Sequence, residues 1–186
     1  MPTEPSRPLV DALKIVPLVF FLIVLQVAVT PLFTPYPGGP DLVLVAVVAL
    51  ALWRGMETAA VTGFFGGLLL DAMTFAPLGL SSILYVAAAV AVASRVEPDP
   101  EAIAISPRRR PGSLVGWTLL AALGVQIGDV VLHLLLGTSI NLSYLWWDQI
   151  VPSVIQTGLA ALILSPLLRR LFRPDLRPDV SGIATA

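Results

Sequence analysis

A few side chains with a charge or a full hydrogen-bonding head stand inside otherwise apolar runs: Gln26, Asp71, Gln126, Asp129, His133 and Gln156. Gln126, Asp129 and His133 follow one another at spacings of three and four, so on a helix they share one face. A carboxylate beside an imidazole can bind a polar ligand, hold a proton or supply two ligands to a metal. A zinc ion would need a third ligand, and Asp71 would have to provide it. The same groups also have a blander use, as interhelical hydrogen bonds worth about 0.6–2 kcal/mol each. Nucleophilic catalysis finds less support. Ser139 and Ser143 lie in a polar loop with no base at a recognisable spacing, so neither an enzyme nor a cofactor is expected.

The element that positions Asp71 is the stretch 57–80, ETAAVTGFFGGLLLDAMTFAPLGL. Ala59, Gly63, Gly67 and Asp71 recur every four residues and stack along one face of a helix. Small residues at this spacing let a second helix approach closely, Gly63-x-x-x-Gly67 being the familiar form. The natural neighbour is the alanine run 87–93 in the next apolar segment. An acid at the centre of a bilayer costs about 2.5–3.5 kcal/mol on insertion scales, so Asp71 should face protein or water. As a structural strut it should accept hydrogen bonds from backbone N–H groups of the 74–79 turn or from a neighbouring helix.

Composition sets the class. Of 186 residues, 56% are hydrophobic and 12% charged, where soluble domains carry about 25% charged residues. Several apolar runs approach the length of a membrane span, which points to an all-α polytopic membrane protein. The net charge of −1 gives no basic body for nucleic acid, and the absence of cysteine removes disulfides and thiolate chemistry.

Along the chain, residues 1–8 read as a disordered N-terminus, 9–172 as a six-helix transmembrane domain and 173–186 as an unstructured tail. The expected spans are 9–33, 41–54, 57–74, 80–94, 113–137 and 149–172. The first is a retained anchor rather than a cleaved signal, because Pro31 occupies the place a cleavage site would need. The second is short and requires its flanking residues to complete a crossing. Pro152 suits the first turn of the last helix, and Pro166 should kink or end it. The loops 34–40, 75–79 and 138–148 contain no Lys or Arg, so all 11 basic residues fall at the opposite end. The positive-inside rule then puts both termini in the cytoplasm. Aromatic belts agree, with Trp53, Trp117 and Phe172 at the inner interface and Phe33, Tyr36, Phe75, Tyr144, Trp146 and Trp147 at the outer one. Arg108–Arg110 suits anionic headgroups. In this frame the intramembrane polar groups occupy the outer halves of their spans. Asp71, Asp129 and His133 are expected to converge there.

A first anchor, a proline-rich turn, and then PDLVLVAVVALALWRG running into GFFGGLLLDAMTFAPLGLSSILY resemble the bacterial rod shape-determining protein MreD family. That family carries an acid late in the third span and Leu-Gly seven and eight residues on, matched by Asp71, Leu78 and Gly79. It also carries an acid in the fifth span, matched by Asp129. The resemblance covers about residues 9–172. It implies a non-enzymatic scaffold of the cell-elongation complex in the bacterial cytoplasmic (inner) membrane. The implied partners are the single-span protein MreC, an MreB-type filament, a lipid-linked glycan polymerase and a penicillin-binding transpeptidase. The implied fold is similar to the substrate-binding subunit of energy-coupling-factor transporters. That similarity supplies a second possibility, a subunit that binds a small, vitamin-like molecule for transport. The residues with a structural or partner-binding role would be Gly63, Gly67, Asp71, Leu78, Gly79, Gln126, Asp129 and His133.

Overall fold

The computed structural model describes residues 7–29, 39–96, 114–137 and 146–172. Among them are six α-helices and no strand: α1 (Arg7–Val29), α2 (Leu42–Trp53), α3 (Met56–Thr74), α4 (Leu80–Val96), α5 (Leu114–Leu135) and α6 (Val151–Phe172). One π-helical turn, Trp146–Ile150, leads into α6. The expectations for the tail 173–186, the Arg108–Arg110 cluster, Ser139 and Ser143 lie outside the described residues. α1 begins at Arg7, two residues before the expected boundary.

α5 and α6, each 22 residues, are long and apolar enough to cross a membrane; Ile15–Ala28, Leu42–Trp53 and Leu80–Val96 are shorter apolar stretches. α2 is the centre of the bundle. It touches all five other helices, and every residue from Leu42 to Ala51 is buried. Its sequence, LVLVAVVALALW, is apolar on every side, so the helix is most stable with protein all round it. Its 12 residues span only ~18 Å at 1.5 Å per residue. The flanking residues do not lengthen it as the sequence reading required: Asp41 caps its start and Arg54 its end.

α3 and α4 form the tightest pair. A Cβ at Gly67 would lie 2.5 Å from the Ser82 nitrogen and 2.6 Å from its Cα, and one at Gly63 would lie 3.2 Å from Tyr85 backbone and Cβ atoms. The two backbones therefore meet where the four-residue spacing placed the small face. The residues of α4 that meet Gly63 and Gly67 are Ser81, Ser82 and Tyr85 and not the alanine run; Ala88, Ala89 and Ala93 are buried further along the helix. The Ser82 hydroxyl donates to the Phe64 carbonyl at 2.8 Å, a bond that only so close an approach permits. Gly66 turns toward Val43 of α2 and Val19 of α1. Phe64 and Phe65 point outward.

At one end of the bundle the Arg54 Nε donates to the carbonyl of Phe172, the last residue of α6, at 2.9 Å. A cation there satisfies an orphan carbonyl and complements the helix dipole. Pro166 does not end α6, which runs through it to Phe172. A proline removes one backbone hydrogen bond, and packing on both sides of it keeps the helix going: Ala161, Leu168 and Phe172 are all buried. Outside, the bundle is apolar: Phe20 and Phe21 on α1, Leu120 and Ile127 on α5, and Ile155, Leu162 and Ile163 on α6 are exposed.

Candidate functional site

The site begins as a capping problem. The first N–H groups of a helix have no partner within it, and those of α2 open into a buried core. The sequence Pro40-Asp41 before an apolar run supplies one answer. The Asp41 side chain accepts from the Leu44 N–H at 3.0 Å, an N-cap contact. Gln26 of α1 supplies the other, its Oε1 accepting from Leu42 at 2.9 Å and from Val43 at 3.1 Å. The first regular bond of the helix, Val45 N–H to the Asp41 carbonyl, follows at 3.3 Å.

Two further helices reach the same point. The Tyr85 hydroxyl of α4 lies 2.9 and 2.8 Å from the two carboxylate oxygens of Asp41. It has one hydrogen, which both oxygens share. The Asp41 N–H donates to the Thr157 hydroxyl of α6 at 3.0 Å, and the Ser153 hydroxyl donates to the Gly39 carbonyl at 3.3 Å. α1, α2, α4 and α6 are thus tied at one end by groups whose partners are far apart in sequence.

A cleft of about 240 Å³ opens above this knot. Gln26, Asp41, Tyr85 and Thr157 line it from below, α5 adds Gln126 and Asp129, and the π-helical turn adds Gln149. Three of the six expected polar groups, Gln26, Gln126 and Asp129, therefore do face a common space. His133 stays outside the lining. Its Nδ1 lies 2.9 Å from the Asp129 carbonyl and 3.4 Å from the Asp129 carboxylate. Both partners are acceptors, so Nδ1 carries the hydrogen. Gln156 turns away toward an apolar groove beside Leu25 and Ile163.

Asp71 is fully buried, but it faces the start of α4 instead of the cleft. Its Oδ2 accepts from the Gly79 N–H at 2.8 Å and from the Ser81 N–H at 3.2 Å. A carboxylate at a helix N-terminus satisfies orphan donors and meets the positive end of the dipole. Oδ1 is buried without a hydrogen-bond partner. Gly79 has φ +92, a left-handed conformation that favours glycine. Between the two anchor points the chain turns through Phe75, also left-handed at φ 56, where glycine is the usual residue. Phe75 is 96% exposed and Leu78 70% exposed. Asp71 does not line the cleft that Asp129 faces: the start of α4 claims its carboxylate, because the open N–H groups there lie within reach at the end of α3. Among the described residues no three His, Cys, Asp or Glu side chains gather to hold a metal ion.

The residues that sequence reasoning passed over are Asp41, Tyr85, Ser153 and Thr157. Asp41 had a visible signal, an acid directly before an apolar helix. Tyr85 and Thr157 had none. The chemistry available here is hydrogen bonding and negative charge, on a cleft wall that carries no lysine or arginine. Compared with protein-family models, with curated proteins and with solved structures, the chain matches none.

Gln26→Leu tests the knot. It keeps the volume and removes the acceptor of two N–H groups, at about 1–3 kcal/mol for each donor left unsatisfied. The expected result is a lower unfolding midpoint, with exchange of the Leu42 and Val43 amides accelerated most. Unchanged exchange there would mean that water replaces the glutamine.

Proposed function

We propose that this chain is a multi-pass protein of the bacterial cytoplasmic membrane, a non-enzymatic scaffold of the elongation complex that binds an MreC-type single-span partner and helps control lateral peptidoglycan synthesis and cell shape. The observation that carries the reading is the use made of Asp71. It is spent on two backbone N–H groups, at Gly79 and Ser81, and so braces the turn that presents Phe75 and Leu78. An acid held in this way shapes a surface. Asp71, Leu78 and Gly79 are among the positions that match the family resemblance, which covers about residues 9–172 as a whole.

The membrane part of the reading is supported by the inverted distribution of side chains. Gly63, Gly67 and Ala88, Ala89 and Ala93 of α4 face inward, and large apolar groups such as Phe64, Phe65 and Ile83 face outward, as expected where lipid is the solvent. In a six-span arrangement α2 is a partial crossing. Its ~18 Å stop short of the ~30 Å hydrocarbon layer. Irregular backbone at membrane depth is tolerated where protein buries it or where it lines a wet cavity, and Gln26, Asp41 and the cleft supply both conditions. Both termini lie on the basic, cytoplasmic side in this proposal. A reporter that is active only outside the cytoplasm, fused after Phe172, should stay silent; activity there overturns the six-span topology. Co-purification from native membranes should retain an MreC-type protein, and its absence under conditions that keep the bundle folded removes the scaffold reading.

A second reading has one observation in its favour. The cleft has the form of a small-molecule site, as in the membrane-embedded binding subunit of a transporter. Retention of a small molecule through purification, with no protein partner, would favour it.

A further inference from the structure

We propose that the cleft at the α2 N-terminus binds a small organic cation, an ammonium group on a short frame. The inference rests on the ligand-binding reading of the cleft and names the chemistry of its occupant.

Shape comes first. The cleft is walled by α1, α2, α4, α5, α6 and the π-helical turn, and it holds about 240 Å³. That is below the ~300–1,000 Å³ of sites for drug-sized molecules, so the occupant is small. Charge comes second. Asp41 and Asp129 both line the wall, with no lysine or arginine beside them. The cations of the neighbouring helices are at their other ends: Arg54 caps the end of α2, Arg95 lies in the last turn of α4, and Arg169 and Arg170 lie in the last turn of α6. His133, outside the lining, stands beside Asp129, with its Nδ1 3.4 Å from the carboxylate Oδ1.

Hydrogen bonding comes third. The groups that hold the Asp41 carboxylate, the Leu44 N–H, the Tyr85 hydroxyl and the Gln26 amide, are neutral donors. They and the positive end of α2 fix the carboxylate in place and offset only part of its charge. A carboxylate withdrawn from water is stabilised most by a positive partner, and here the ligand is the partner that the wall lacks. Gln126 and Gln149 add amide groups for a polar substituent. An anion would be repelled by the two acids, and an apolar molecule would leave these amides unpaired.

The test uses three four-carbon probes of one length: putrescine, its neutral analogue butanediol and its anionic analogue succinate. Binding to the purified full chain in phosphatidylcholine nanodiscs is measured by calorimetry. Putrescine should bind saturably, butanediol about tenfold more weakly or less, and succinate not at all. Asp129→Asn should weaken putrescine by about tenfold, about 1.4 kcal/mol, at an unchanged unfolding midpoint, because its carboxylate braces no helix start. Ser94→Ala, whose hydroxyl bonds only the Ala91 carbonyl of its own helix, should bind as the parent does. Putrescine binding that is absent, or equal in Asp129→Asn, overturns the proposal. Butanediol binding as tightly as putrescine and lost in Gln126→Ala also overturns the cation, while the ligand-binding reading stands. No saturable binding of any probe removes both.

Discussion

Gly67→Ala is expected to force α3 and α4 apart. The added methyl would sit 2.5 Å from the Ser82 nitrogen and 2.8 Å from the Ser81 carbonyl carbon. These are backbone atoms, and a helix backbone cannot yield as a flexible side chain does. Overpacking of this kind costs about 1–3 kcal/mol and occasionally more, and the rigid neighbour puts Gly67 at the upper end. Ser82 would also lose its approach to the Phe64 carbonyl. Two other glycines complete a graded series. At Gly63 the methyl would meet Tyr85 at 3.2 Å, a contact that shifts of a few tenths of an ångström relieve, so a smaller loss is expected. At Gly124 it would meet nothing within 4 Å, and Gly124→Ala should cost nothing or gain up to about 1 kcal/mol from helix propensity. Denaturant midpoints of the three variants in one detergent give the order. Equal midpoints at positions 67 and 124 would show that the seam between α3 and α4 is looser than its geometry.

Asp71→Ala is expected to be the most damaging change of a polar residue. It leaves the Gly79 and Ser81 N–H groups without their acceptor. Hydrogen bonds to a charged group are worth about 1.5–3 kcal/mol each, so a loss of about 3 kcal/mol is the expected scale. Asp71→Asn should cost roughly half as much. Its carbonyl oxygen can keep the Oδ2 position, and its amide falls where Oδ1 already lacks a partner. The readouts are the unfolding midpoint and retention of an MreC-type partner. If the turn is the docking surface, partner binding should fall in step with the loss of the brace, and Leu78→Ser should weaken binding without lowering the midpoint. Full stability in Asp71→Ala would mean that water takes over the two N–H groups and that Asp71 is no strut.

The number and order of the helices were legible in the sequence. So was the face of α3 that packs, since Gly63, Gly67 and Asp71 are spaced four apart and a helix turns this spacing into one line. The brace at Gly79 was legible for the same reason, because acid and turn lie within ten residues and chain geometry brings them together. Periodicity reports only what one helix does with its own residues. α2 has no polar side, so its pattern could not say that all sides meet protein, and its short length was read as an incomplete span instead of a buried core. The knot of Gln26, Asp41, Tyr85 and Thr157 joins residues 16 to 116 apart, and no local spacing encodes that pairing. It exists because α1, α4 and α6 meet the start of α2, whose first N–H groups need partners from outside the helix. The same packing decided that Asp129 faces the cleft, that His133 stays outside it, and that Asp71 serves α4.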